Sequence, residues 1–261
     1  MCTAMAIYGI DTIPTEKAYE IGRLFFDVIG LDATIAIYPK YKEDRSEEDI
    51  DFIEVSLPKL KDEIKNNNVT NFRFFHEGTS NRYWTASFGY STNTFGAFSH
   101  IDAQFASAES EYKCLEFIKK LSTISNFCYG IIYHPNNVGD GFFYAQGGNF
   151  VKVFSNEDPL LFSKWIKCTS DKCYQPPMLR MVYPFNVISQ QHLDTAVMGG
   201  ILNEWILRDK KHGVLEKLSD SKWLWTVTDS DLDAVNTLLG EAGILISWRP
   251  FNAKKRVRKL P

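Results

Sequence analysis

The sequence predicts an α+β fold, with a mixed or antiparallel central sheet covered by several helices. Three observations lead there. Apolar residues make up 44% of the 261 and charged residues 23%, the balance of a chain that buries a core. Segments with apolar residues at helical spacing stand near both ends. Between them run short stretches rich in Phe, Tyr and Thr, alternating apolar with polar and punctuated by Gly and Asn.

The first element is a helix over PTEKAYEIGRLFFDVIG. Pro14 and Thr15 suit its start, Ala18, Ile21, Leu24, Phe25 and Val28 recur on one side, and Gly30 ends it. ATIAIYP follows as a buried strand stopped by Pro39. Residues 40–51 are charged and solvated. A second helix is expected on the stripe Ile50, Ile53, Leu57, Leu60 and Ile64, with Pro58 as a defect that divides it. Asn66, Asn67 and Asn68 form a loop.

Three consecutive strands are then expected in VTNFRFFHEG, RYWTASFGYS and NTFGAFSHID. In the second, Tyr83, Thr85 and Ser87 alternate with Trp84, Ala86 and Phe88, one face toward a core and the other mixed. A helix over about 107–121 buries Ala108, Tyr112, Leu115, Phe117 and Ile118. FCYGIIYH is a strand, and GFFYAQGGNFVKVFSN is expected to be a hairpin turning at Gly147 and Gly148. PLLFSKWIKC is a short helix. The proline-rich stretch from Cys168 to Gln190 has no clean helix and reads as a long connection or an interface lobe.

One helix is expected from Ser189 to Leu218, broken at Gly199–Gly200, with Leu202, Trp205 and Ile206 as its packing stripe. In WLWTV, Trp223, Trp225 and Val227 face one way and Leu224 and Thr226 the other. Only Lys222 accompanies the tryptophans, so they belong in a core rather than on a base-stacking platform. Each ring would remove over about 100 Å² from water, worth several kcal/mol at roughly 25 cal/mol per Å². Thr228 opens a last helix on Leu232, Val235, Leu238, Leu239 and Ala242. Gly243 ends it, and ILISW is a strand. Residues 1–248 are read as a single domain and residues 249–261 as a basic tail.

Composition narrows the function. No apolar run is long enough to cross a bilayer, and MCTAMAIYGIDTIPTEK has no basic region ahead of its short apolar stretch. No membrane partner is expected, and the cytoplasm is the expected compartment. Five cysteines at irregular spacings do not make a disulfide framework or a zinc pattern, CTSDKC included. Neither metal nor cofactor is expected. The net charge is −3, yet residues 249–261 carry six positive charges and no acid. The rest of the chain is therefore acidic, which favours a basic protein partner and disfavours nucleic acid.

No Gly-rich phosphate loop, HExxH or GxSxG stands in the chain. Two polar pairs remain as candidate catalytic groups for a small hydrolase: His100 with Asp102, and His134 with Asp140. A nucleic-acid-binding protein using the basic tail is the other alternative. Without a catalytic signature, an acidic, aromatic-rich chain suits stoichiometric binding to a protein. The expected contacts are Glu43, Asp44, Glu47, Glu48 and Asp49, together with Tyr83 and Trp84.

A resemblance sharpens that expectation. Residues 183–246 hold Asn186, His192, Leu193, Leu202, Trp205, Ile206, Gly213, Leu215, Leu224, Trp225, Ala242 and Gly243 in a pattern that resembles bacterial toxin-immunity proteins. The likeness is to the Immunity protein 52 family and related type VI secretion immunity proteins. It implies a non-enzymatic inhibitor of a cognate toxin, commonly a nuclease in that family. The resemblance covers about a quarter of the chain and leaves the interface open. A homodimer is compatible with it.

Overall fold

The computed structural model describes residues 2–42, 49–78, 84–95, 98–107, 109–147, 150–169 and 173–250. Among them the strands are β1 (Cys2–Tyr8), β2 (Ile35–Tyr41), β3 (Ile50–Val55), β4 (Phe72–His76), β5 (Ala86–Ser91) and β6 (His100–Ala106). The later strands are β7 (Tyr129–Tyr133), β8 (Phe185–Ser189), β9 (Ala196–Val197), β10 (Gly200–Ile201), β11 (Val214–Ser219) and β12 (Lys222–Thr226). The helices are α1 (Thr15–Ile29), α2 (Leu57–Lys65), α3 (Ser110–Ile124), α4 (Val138–Gln146), α5 (Pro159–Lys167), α6 (Gln190–Leu193), α7 (Leu202–Arg208) and α8 (Asp229–Glu241).

Ten strands form one antiparallel sheet in the order β11-β12-β8-β7-β1-β6-β5-β4-β2-β3; β9 and β10 make a separate small hairpin. The fold is therefore α+β, and its sheet is antiparallel at each pairing. One cross-strand row runs its full width: Glu54, Ile37, Arg73, Gly89, Asp102, Ala6, Ile131, Asn186, Trp225, Leu215. Side chains of one row share a face.

The face opposite that row is apolar. Phe72, Phe74, Phe88, Ile101, Ala103 and Phe105 pack there against Ile21, Phe25 and Phe26 of α1, Leu60 and Ile64 of α2, and Phe117 and Ile118 of α3. The row's own face carries a second core beneath α4, α5, α7 and α8, built around Tyr8, Tyr129, Tyr133, Tyr144, Tyr174 and Tyr183, with Trp205 and Trp225. Both Trp225 and Val227 are buried there and Leu224 is buried on the opposite face, as the alternation in WLWTV predicts.

Several elements differ from their sequence expectation, each for a local reason. Pro39 does not stop β2. It pairs with Phe52, while β4 reaches only Ile35–Ile37, so no neighbour needs the missing N–H. Ile50 and Ile53 belong to a strand, not to the second helix. Pro58 sits in the first turn of α2, where the N–H has no partner, and Ser56 caps that turn by accepting from Lys59 N. Residues GFFYAQ are a helix, not a hairpin. Asn137 caps it by accepting from Asp140 N at 2.9 Å, and Gly147 ends it at φ 63°.

In α3, Tyr112 is exposed and Cys114 and Leu121 are buried in its stead; Ala108 and Gly148 lie outside the described residues. The expected long helix from Ser189 is split. Met198 and Gly199 take positive φ in the turn between β9 and β10, which leaves α6, α7 and a 3-10 turn at Lys210–His212 helical, while the expected helix's last residues belong to β11. ILISW makes isolated bridges, Leu245 to Leu179 and Trp248 to Glu157. The proline-rich stretch is not an interface lobe: Leu179, Met181, Val182 and Tyr183 are fully buried, and β8 continues the sheet. In α8, Leu232, Val235 and Leu239 are buried, but Leu238 and Ala242 are exposed.

Candidate functional site

Helix α4 lies across β1 and β6, close enough that a Cβ on Gly141 would press on Gln104 and Ala4. Beyond it, the row's face of β4, β2 and β3 carries no α-helix among the described residues, only the 3-10 turn Asn93–Phe95. The result is an open cleft of about 400 Å³. Its walls are Ile37 and Pro39 of β2, Ile50 and Phe52 of β3, Phe75 of β4, Phe95, and Phe142 of α4. Phe52 is 73% exposed. Tyr41 packs on Phe95 and Trp84 on Phe75, with ring centroids 4.7 and 5.1 Å apart. So many exposed rings around one concavity exceed the scattered apolar residues of an ordinary surface.

Arg73 forms the polar floor. Its Nη1 and Nη2 donate to Asp102 Oδ1 and Oδ2 at 2.8 and 2.6 Å. Nη1 also reaches Ser87 Oγ at 3.3 Å, Ser87 donates to Gln104, and the Gln104 amide donates to Asp102. The guanidinium crosses β5 at Gly89, where a Cβ would overlap both Arg73 and Asp102. A glycine is thus required at that crossing. The Phe142 ring caps the guanidinium 4.1 Å away. Arg73 is a partly buried, committed cation, and the cleft above it accepts apolar side chains.

The expected pair His100 and Asp102 does share a face of β6. Nε2 stands 3.8 Å from Asp102 Oδ2, and both side chains are fully buried. His100 Nδ1 donates to Phe98 O at 2.8 Å, which fixes the tautomer, and Nε2 has no hydrogen-bond partner. Burial pushes its pKa below the ordinary histidine value, partly opposed by Asp102. This is a sealed neutral imidazole beside an Arg-bound carboxylate.

The row's face holds a second buried ion pair, Arg180 with Glu157, at 3.5 Å. Arg180 Nη1 donates to Tyr144 O at 2.7 Å and to Tyr8 Oη at 3.3 Å. Tyr144 donates to Glu157 Oε1 at 2.7 Å and meets Tyr183 Oη at 2.6 Å. Burial, opposed by Arg180, pushes the Tyr8 hydroxyl up to about 12. At His192, Nδ1 accepts from Ser189 N and Nε2 meets Tyr174 Oη at 2.6 Å. Tyr174 itself donates to Met178 O, so His192 is neutral with its proton on Nε2. Burial holds its pKa down at about 3.

His134 does not pair with Asp140. Asp140 instead accepts from the Asn137 amide at 2.9 Å. The half-exposed His134 places Nε2 3.2 Å from Glu111 and Nδ1 3.4 Å from Thr3 Oγ1, which meets Ser110 Oγ at 2.6 Å. A carboxylate, an imidazole and two hydroxyls thus stand in line, but Thr3 is fully buried and Ser110 nearly so. Among the described residues no group of three or more His, Cys, Asp or Glu could hold a metal ion. No helix there is long and apolar enough to cross a membrane.

Of the expected contact residues, Trp84 stands at the cleft rim, and Asp49 sits at the open end of the β2–β3 hairpin, its carbonyl accepting from Lys42 N. Glu43, Asp44, Glu47, Glu48 and Tyr83 lie outside the described residues, as do residues 251–261 of the basic tail. Arg249 pairs with Asp158 at 2.9 Å. Sequence reasoning missed Phe52, Arg73 and Phe142. The available signal was the single charge in FRFFH, an arginine on the polar side of an otherwise aromatic strand.

Of the residues that carry the likeness to immunity proteins, Asn186, His192, Leu193, Leu202, Trp205, Ile206, Leu224 and Trp225 are buried, and Gly213 and Gly243 take positive φ. They build the scaffold and do not line the cleft. No family model matches the chain, and no curated protein matches it in sequence. Among solved structures, the Pseudomonas aeruginosa T6SS protein PA0821 has a similar fold, with a TM-score of 0.54 and 9% identity. The match covers 94% of this chain and 73% of that one. At that identity the likeness concerns the fold alone.

Proposed function

We propose that this chain is a non-enzymatic immunity protein that binds and neutralises a cognate bacterial toxin, a type VI secretion effector with nuclease activity. The observation that carries this reading is the aromatic cleft over β4, β2 and β3. A ring such as Phe52 buries roughly 150 Å² when a partner covers it, worth about 4 kcal/mol at roughly 25 cal/mol per Å² before ordering costs. That is the energetic profile of a binding anchor. The acidic body steers a basic partner toward it. The structural neighbour's being a T6SS protein and the immunity-protein pattern over 183–246 support the same reading.

The test is co-expression with the product of the adjacent gene. Protection of growth and a complex that survives purification are expected, with an association rate that falls as salt rises. Absence of both complex and protection would defeat the proposal. One observation favours a second reading: the line from Glu111 through His134 to Thr3 and Ser110 is the order of a hydrolytic relay. Hydrolysis by the purified chain, abolished in His134→Ala with the fold intact, would establish that alternative in place of the first.

A further inference from the structure

Strand β3 is the outer strand of the sheet on the cleft side, and among the described residues nothing pairs with its far edge. Lys42 N donates to Asp49 O at 3.1 Å, which fixes the alternation of the β2–β3 ladder. Pairs 40/51, 38/53 and 36/55 therefore exchange hydrogen bonds. The backbone N–H and C=O of Ile50, Phe52 and Glu54 consequently point away from β2. The side chains of these same three residues stand on the cleft's face, beside the row that includes Arg73. An unpaired edge six residues long, bordering exposed rings, is a template for a further strand.

Charge selects the occupant. Residues 39–55 contain seven acidic residues and three basic ones. Two acids of β3 itself are exposed, Asp51 on the helix-covered face, where Lys42 Nζ stands 3.4 Å from it, and Glu54 on the cleft face. A second copy of this chain would bring two such acidic hairpins together. An extended basic segment meets opposite charge on both faces instead.

We infer that β3 receives an extended, basic segment of the partner protein by strand addition, continuing the ten-stranded sheet. The inference rests on the protein-binding reading above and adds the mode of recognition. The added strand forms main-chain hydrogen bonds with Ile50, Phe52 and Glu54. It sets an apolar side chain beside Phe52 and cationic side chains opposite Glu54 and Asp51.

Residue-resolved amide exchange tests it, using the whole chain and three blocked hexapeptides: Val-Lys-Val-Val-Lys-Val (the Lys–Val peptide), the same with Glu for Lys (the Glu–Val peptide), and the Lys–Val peptide with a central Pro. The Lys–Val peptide is expected to slow exchange about tenfold or more at Ile50, Phe52 and Glu54. Asp51 and Ile53, already bonded to β2, keep their rates. The other two peptides should leave all five amides unchanged, and the double variant D51K/E54K should reverse the preference to the Glu–Val peptide. Equal protection by the Lys–Val and Glu–Val peptides, no protection by any of them, or a dimer whose β3 amides are protected without peptide would each overturn the inference.

The adjacent gene's product supplies an independent arm. If it binds without protecting Ile50, Phe52 and Glu54, strand addition falls and the immunity reading stands. If the Lys–Val peptide adds to β3 but that product does not bind, the immunity reading falls and strand addition stands.

Discussion

Under α1, α2 and α3 the sheet presents mainly phenylalanines and aliphatic side chains, with Tyr38 and Tyr90 among them and Tyr19 packed there from α1. The other face, on the same strands but one residue out of phase, presents six buried tyrosines, two Arg–carboxylate pairs and two neutral histidines. The first face is held by area removed from water, a force that tolerates small shifts. The second is held by directional bonds, which fix one register, since a slip of one residue would strip each buried charge of its partner. The difference teaches a division of labour. The apolar face collapses the chain, and the polar face fixes the strands' alignment and leaves its unhelixed end as the exposed cleft.

Substitutions on the two faces test that division. The largest effect is expected for Asp102→Ala, which leaves the Arg73 guanidinium without its carboxylate. A loss of about 3–5 kcal/mol by urea denaturation is expected, against about 1 kcal/mol for Phe88→Leu on the apolar face. Equal losses would break the contrast. Acid comes next. His192 is neutral in the fold, with a pKa of about 3, and titrates near 6.5 when unfolded. Its contribution is complete above pH 6.5 and declines as the pH falls toward 3, because only the unfolded chain takes up the proton in that window. Between pH 6.5 and 5 the loss is about 2 kcal/mol. His100 acts with the same sign. A His192→Asn variant should flatten the pH profile; an unchanged slope would place the acid sensitivity elsewhere.

Tyr144→Phe is expected to cost about 1 kcal/mol, since it removes a hydroxyl shared by Glu157 and Tyr183. A neutral result would mean that this lattice relaxes as readily as the phenylalanine core. The smallest stability effect belongs to Phe52→Ala, within about 0.5 kcal/mol, because the ring is exposed. Toxin affinity measured by calorimetry should nevertheless fall at least about tenfold. Unaltered affinity would remove the cleft from the interface.

The apolar face was the legible one. Phe25, Phe88 and Ile118 announce it by spacing alone, and the alternation at Trp223, Leu224 and Trp225 places them correctly on β12. The polar face was not legible, because its partners meet across long sequence separations. Nothing near Asp102 in sequence points to Arg73, and nothing near Glu157 points to Arg180. Gly89 reads as a weak point in a strand until the guanidinium crossing it is seen. The helical reading of Ile50 and Ile53 failed because two isoleucines three apart fit a helix as well as a twisted edge strand. Only their pairing with β2 decides the matter. The cleft was less visible: Trp84, at its rim, was singled out, but Phe52 was hidden within a charged run, and Glu43, Asp44, Glu47 and Glu48 lie outside the described residues.

The strand that comes first in sequence, β1, sits in the middle of the sheet, between β6 and β7. A nascent chain therefore carries seven buried-type residues with no neighbour until residue 106 has left the ribosome, and with only one until residue 133. At about 5–20 residues per second, synthesis alone takes several seconds to supply those neighbours. Early protein output should accordingly depend on holdase chaperones that cover β1 until its neighbours arrive.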